Sequence, residues 1–100
     1  MLTKDEMLVF EQSIRNALEA RQKEIGLSDE AIGKMAFSFM PAPRMKVQAI
    51  KRGQGKPDQR VPQQLRWAEM LNLCEAVGLN WVEVGREALK AVKHANKNPA

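Results

Sequence analysis

Apolar positions recur at three- and four-residue steps along most of this chain, and short polar breaks divide the pattern into five segments. In the first, Phe10, Ile14, Ala17, Leu18, Arg21 and Ile25 align on one face of a long helix over about 3–25. Thr3 and Glu6 have the spacing of a capping box, Leu2 and Met7 that of a hydrophobic staple, and Asp5 and Glu6 suit the positive end of the helix dipole. Gly26 is the stop signal. A second, short helix over 28–37 restarts at once, with Ser28 as cap, Asp29 and Glu30 in the first turn, and Ala31, Ile32, Met35 and Ala36 as its inner face.

The stretch Phe37-Ser38-Phe39-Met40-Pro41-Ala42-Pro43 interrupts the helical rhythm, because each proline disfavours the helical region in the residue before it. At least one of Phe39 and Met40 is expected to fold back over the core. Pro43 suits the first position of a third helix over 43–52. Val47 and Ile50, with Ala49 or Met45, supply its inner face, and Arg44, Lys46, Gln48, Lys51 and Arg52 are expected to point outward. After a polar loop, the pattern predicts a fourth helix over 62–77, apolar round most of its circumference and therefore central. Asn80 caps a fifth over 80–95, with Trp81, Val84, Ala88, Leu89, Val92 and Ala95 along its stripe; 96–100 should fray. The fold class is all-α, one helical domain over 1–95.

Composition supports an ordered globule: 44% of residues are hydrophobic and 28% charged. No apolar run is long enough to span a bilayer and no secretory leader pattern follows Met1, so a cytoplasmic protein without membrane contact is expected. The single cysteine, Cys74, lies on an apolar face and reads as core, while His94 reads as surface. No nucleophile, metal-ligand or phosphate-loop pattern is present, so neither enzyme activity, nor a cofactor or metal, nor a small-molecule ligand is expected. Charge changes the picture more. Between Ala31 and Ala68 eight basic residues face one acid, Asp58, a net +7, whereas the flanks are mildly acidic. Such a basic centre is what a polyanion would select, or else a solvated lysine-rich face.

The order of three pieces then resembles a known family. They are Gly26-Leu27-Ser28-x-Glu30-x-Ile32-x-Lys34-Met35, then Val47-x-x-Ile50-x-Arg52-Gly53-x-x-x-Pro57, then Leu71-x-x-Cys74-x-Ala76-Val77-Gly78-Leu79. Together they resemble the phage-repressor or XRE-type (lambda-repressor-like) helix-turn-helix domains over roughly 14–89. The chain departs from that pattern by about four extra residues in the turn, by Asp29 where glutamine is frequent, and by Lys51 where an acid is frequent.

The resemblance implies a five-helix lambda-repressor-like bundle with an enlarged turn, whose third helix lies in the major groove of double-stranded DNA. It implies Arg44, Met45, Lys46 and Gln48 as base-reading residues, and Lys34, Lys51, Arg52, Lys56 and Arg60 as phosphate-binding ones. A sequence-specific transcriptional regulator acting as a homodimer is the resulting expectation, with the dimer interface on the fifth helix at Trp81, Val84, Ala88 and Val92. The alternatives are an antitoxin- or adaptor-like protein-interaction domain, favoured by Asp29 and the apolar Phe39-Met40 turn, and a nonspecific DNA binder.

Overall fold

Thr3 starts the first helix in the way its sequence prescribes. Its Oγ1 accepts the Glu6 amide at 3.2 Å, and Glu6 Oε1 accepts the Thr3 amide at 2.9 Å. From there α1 runs Lys4–Ile25 in a computed structural model that describes residues 1–53, 58, 60 and 62–97. Four further helices follow: α2 (Asp29–Ala36), α3 (Pro43–Arg52), α4 (Trp67–Val77) and α5 (Trp81–Lys97). The described residues form a compact all-α globule without strands. None of its helices is long and apolar enough to cross a membrane.

The caps read from sequence are made. Ser28 Oγ accepts the Ala31 amide, and Asn80 Oδ1 accepts the amides of Val82 and Glu83. Gly26 and Gly78 end α1 and α4 at φ +71° and +73°, a region that a side chain would strain. Ile14 and Leu18 of α1, Ile32 and Ala36 of α2 with Phe37 just after it, Val47 and Ile50 of α3, Met70, Leu73, Cys74 and Val77 of α4, and Val84 and Ala88 of α5 form one core. Burial pushes the Cys74 thiol pKa up.

Gly33 sets the spacing of α2 and α3. A Cβ there would lie 2.7 Å from the Pro43 carbonyl carbon and 2.9 Å from the Arg44 amide nitrogen. The two backbones therefore approach as closely as they do only because position 33 has no side chain.

Two boundaries differ from expectation. Helix α4 begins at Trp67 rather than at Pro62, and α5 continues to Lys97. Residues 62–66 are not helical because their backbone groups already have partners elsewhere. The Gln63 amide donates to Ala49 O at 2.8 Å, Gln63 O accepts Arg15 Nη2 at 2.7 Å, and the Leu65 amide donates to Glu11 Oε1 at 3.3 Å. The segment is a strut laid across α1 and the end of α3.

Candidate nucleic-acid interface

Helix α3 turns Val47, Ala49 and Ile50 into the core, and its opposite side and leading end carry the residues the sequence nominated. Arg44 and Met45 stand exposed at the leading end, Met45 with 56% of its surface accessible. They share a groove of about 180 Å³ with Glu30 and Lys34 of α2, Ala42 and Pro43. Lys34 is well exposed and loosely paired with Glu30, 3.4 Å away. Arg44 has no charged partner among the described residues.

The remaining cations of α3 are placed differently, which corrects the expectation that all five polar side chains point outward. Lys46 reaches toward α4, where its ammonium lies 2.7 Å from Glu69 Oε2 and also donates to Gln63 Oε1; both ends of the ion pair are only 14% exposed. Lys51 lies 2.8 Å from Asp29 Oδ1 and 2.9 Å from Gln22 Oε1, with 11% of its side chain exposed. Gln48 is half-buried, its amide 3.5 Å from Asp29 Oδ2. Arg52 is exposed, its guanidinium 3.7 Å from the same carboxylate.

The structure thus brings Lys34, Arg44 and Met45 together and leaves Arg52 at the far end of α3, where it lines a different groove with Asp29 and Lys51. Arg60 is exposed in the connection that follows, and Lys56 lies outside the described residues. Of the apolar turn residues, Met40 packs against the core while Phe39 stays outside it, edge-on to Phe37 at 6.4 Å.

Asp29 is the electrostatic centre of the α1–α2–α3 junction. Burial pushes its carboxyl pKa up, but hydrogen bonds from Lys51 and Gln22 and the nearby Lys51 charge outweigh that and hold it below the ordinary carboxylate value.

Arg15, which the sequence reading passed over, holds α3 from behind. It is buried, and its Nε donates to Ile50 O at 2.8 Å while Nη2 donates to Gln63 O. Ile50 O belongs to the last turn of α3, so a cation meets the negative end of that helix. The signal was a charged residue in register with Leu18 and Gln22, beside the buried Ile14. Among the described residues no three His, Cys, Asp or Glu side chains gather where they could hold a metal ion.

Compared with known proteins, the chain matches no family model, no curated protein and no solved structure. Its functional reading therefore rests on the surface just described.

The expected dimer stripe on α5 is the second correction. Val84, Ala88 and Val92 are buried within the protomer, where α5 packs along α1, and so they offer no surface to a partner. Trp81 alone of that set is exposed, and its ring meets Trp67 edge-on with centroids 5.2 Å apart.

Proposed function

We propose that the chain is a sequence-specific, double-stranded-DNA-binding regulator of the phage-repressor type. In this reading α2 and α3 form a helix-turn-helix with an enlarged turn, and α3 enters the major groove by its leading end. One observation carries the reading. Helix α3 is anchored to the core along one face while Arg44 and Met45 project from its start beside Lys34. An exposed arginine at such a position can donate two hydrogen bonds to guanine O6 and N7, and the methionine can contact a thymine methyl.

Base reading is thereby concentrated on Arg44 and Met45. Lys46 and Gln48, bound to Glu69 and Asp29, contribute only if DNA displaces those partners. Lys34, Arg52 and Arg60, with Lys56, are the phosphate contacts that hold register.

The test is binding of a fluorescent duplex across a salt series. Contacts to about five phosphates give a log–log slope of roughly −4 to −5. A slope near zero would reject the proposal, and equal affinity for unrelated duplexes would reduce it to nonspecific binding.

A protein-interaction role is the second reading. The observation favouring it is that Met35, Phe39 and Met45 are exposed around the turn while two of the lysines are neutralised internally. A partner retained on the immobilised chain after nuclease treatment would select it.

A further inference from the structure

From Glu69 onward the sequence holds four basic residues and four acids, so its summed charge is zero. The fold sorts those charges by face. On α5, where successive residues turn by about 100°, Arg86, Lys90 and Lys93 fall within roughly 60° of arc. That arc lies opposite Val84, Ala88 and Val92, which are buried. Glu83 and Glu87 flank it on one side, Val82 and Leu89 on the other. All three cations are exposed. Lys90 is paired with Glu87 at 3.0 Å, whereas Arg86 and Lys93 have no charged partner among the described residues. Attraction to the helix dipole accounts for cations only in the last turn, and all three of these precede it. Nor does the stripe continue the surface of α3, because α5 packs on α1 and α4 and touches neither α2 nor α3.

We infer that this stripe is a second nucleic-acid site, which holds the phosphate backbone of a duplex independently of α3. Three observations select that occupant. Arg86 to Lys93 spans about 10 Å along the helix, the axial length over which one strand of B-form DNA presents about three phosphates. Two of the three cations are uncommitted, so no buried ion pair has to break before they reach phosphate, as it would for Lys46 and Lys51. A lipid surface fits less well. A helix lying in a membrane interface inserts a broad apolar face, and that face of α5 is buried against the core, leaving Trp81, Val82 and Leu89, none more than 45% exposed. Phosphate contacts of this kind attract and position without reading bases. Where α3 also holds DNA, one chain then bridges two duplexes.

The test uses the full chain with the leading end of α3 silenced by Lys34→Gln and Arg44→Gln, titrated with a fluorescent duplex of arbitrary sequence at about 50 to 200 mM salt. Adding Arg86→Gln with Lys93→Gln is expected to make the log–log slope shallower by roughly 2, as the loss of two phosphate contacts requires. The charge-keeping exchange Arg86→Lys with Lys93→Arg should leave the slope where it was. In the wild-type chain, donor- and acceptor-labelled duplexes should show energy transfer that the α5 glutamines abolish. A slope that the glutamines do not move, one that the charge-keeping exchange moves as far, or energy transfer that survives the glutamines overturns the inference. Binding to vesicles of anionic phospholipid that outlasts duplex binding as salt rises, and is lost with the same glutamines, assigns the stripe to lipid and overturns it too. Failure of the α3 reading is seen separately: silencing Lys34 and Arg44 would then leave duplex affinity at its wild-type value, with energy transfer absent and the α5 slope change intact.

Discussion

Arg15 illustrates how a single charged residue can be more structural than most of the core around it. Its guanidinium satisfies Ile50 O and Gln63 O, two carbonyls that no helix ladder serves, and it is almost wholly removed from water. Hydrogen bonds from a charged donor are worth about 1.5–3 kcal/mol each, and stranding buried carbonyls adds a penalty of its own. Arg15→Ala is accordingly expected to lower the unfolding free energy by roughly 3–5 kcal/mol, read from urea titration. Arg15→Lys should recover less than half, since an ammonium lacks the fork that reaches both oxygens. Asp29 makes the opposite kind of contribution, one that pH can remove. Its folded pKa is depressed, so the stability it provides is fully present above its unfolded value of about 3.9. That stability is lost as pH falls through the lower, folded value. The difference in thermal midpoint between wild type and Asp29→Asn should hold steady from pH 7 to pH 5 and shrink below about pH 4. A difference that persisted unchanged at pH 2 would contradict the ion-pair account.

At the scale of elements, what was legible in the sequence was what is local. Thr3, Ser28 and Asn80 cap helices whose first amides lie two or three residues away, and the apolar stripes of α1, α3 and α5 depend only on helical period. The C-terminal ends of α3 and α4 also fall where Gly53 and Gly78 placed them, but the side chains from other helices that close those ends were not legible. The last carbonyl of α2, Ala36 O, is met by Asn72 of α4; that of α4, Val77 O, by Arg21 of α1; and Ile50 O of α3 by Arg15. Three helix C-termini are thus closed by side chains far along the chain, which no window of neighbouring residues reveals. The misplaced start of α4 has the same cause. Pro62 looks like a helix opener, yet the residues after it are held out of the helix by Glu11, Arg15 and Ala49. Gln63→Pro distinguishes the two arrangements. In the first turn of a helix the amide has no intrahelical partner and proline is tolerated. In the strut that amide donates to Ala49 O, so its loss should cost about 1–2 kcal/mol by chemical denaturation while the helical content is retained.

Across the whole molecule, the basic centre of the sequence divides into two populations that composition could not separate. One population is internal. Lys46 and Glu69 join α3 to α4, and Lys51 and Asp29 join α3 to α2, each pair more than four-fifths buried. Asp29 and Lys51, which the sequence set apart as two separate features, are the two halves of one such pair. Opposite charges near two helix ends were the available signal, but only proximity reveals them as a pair. The other population, Arg44 with Lys34 and Arg52, keeps its charge toward water. On the proposed DNA-binding reading, the division predicts that stability and DNA affinity respond to different α3 residues. Lys46→Met leaves Glu69 beside an apolar chain in a poorly solvated site, and should cost about 2–4 kcal/mol of stability while changing the salt slope of DNA binding little. Arg44→Ala should leave the thermal midpoint within about 2–4 °C, since exposed substitutions rarely exceed 0.5 kcal/mol. It should nonetheless weaken binding to the preferred duplex by roughly ten- to a hundredfold and relax the preference at one base pair. Midpoints and affinities measured on the same two variants decide the matter. Should Lys46→Met abolish affinity at unchanged stability, the lysine would be a DNA contact that leaves Glu69 on binding, and the division would fail.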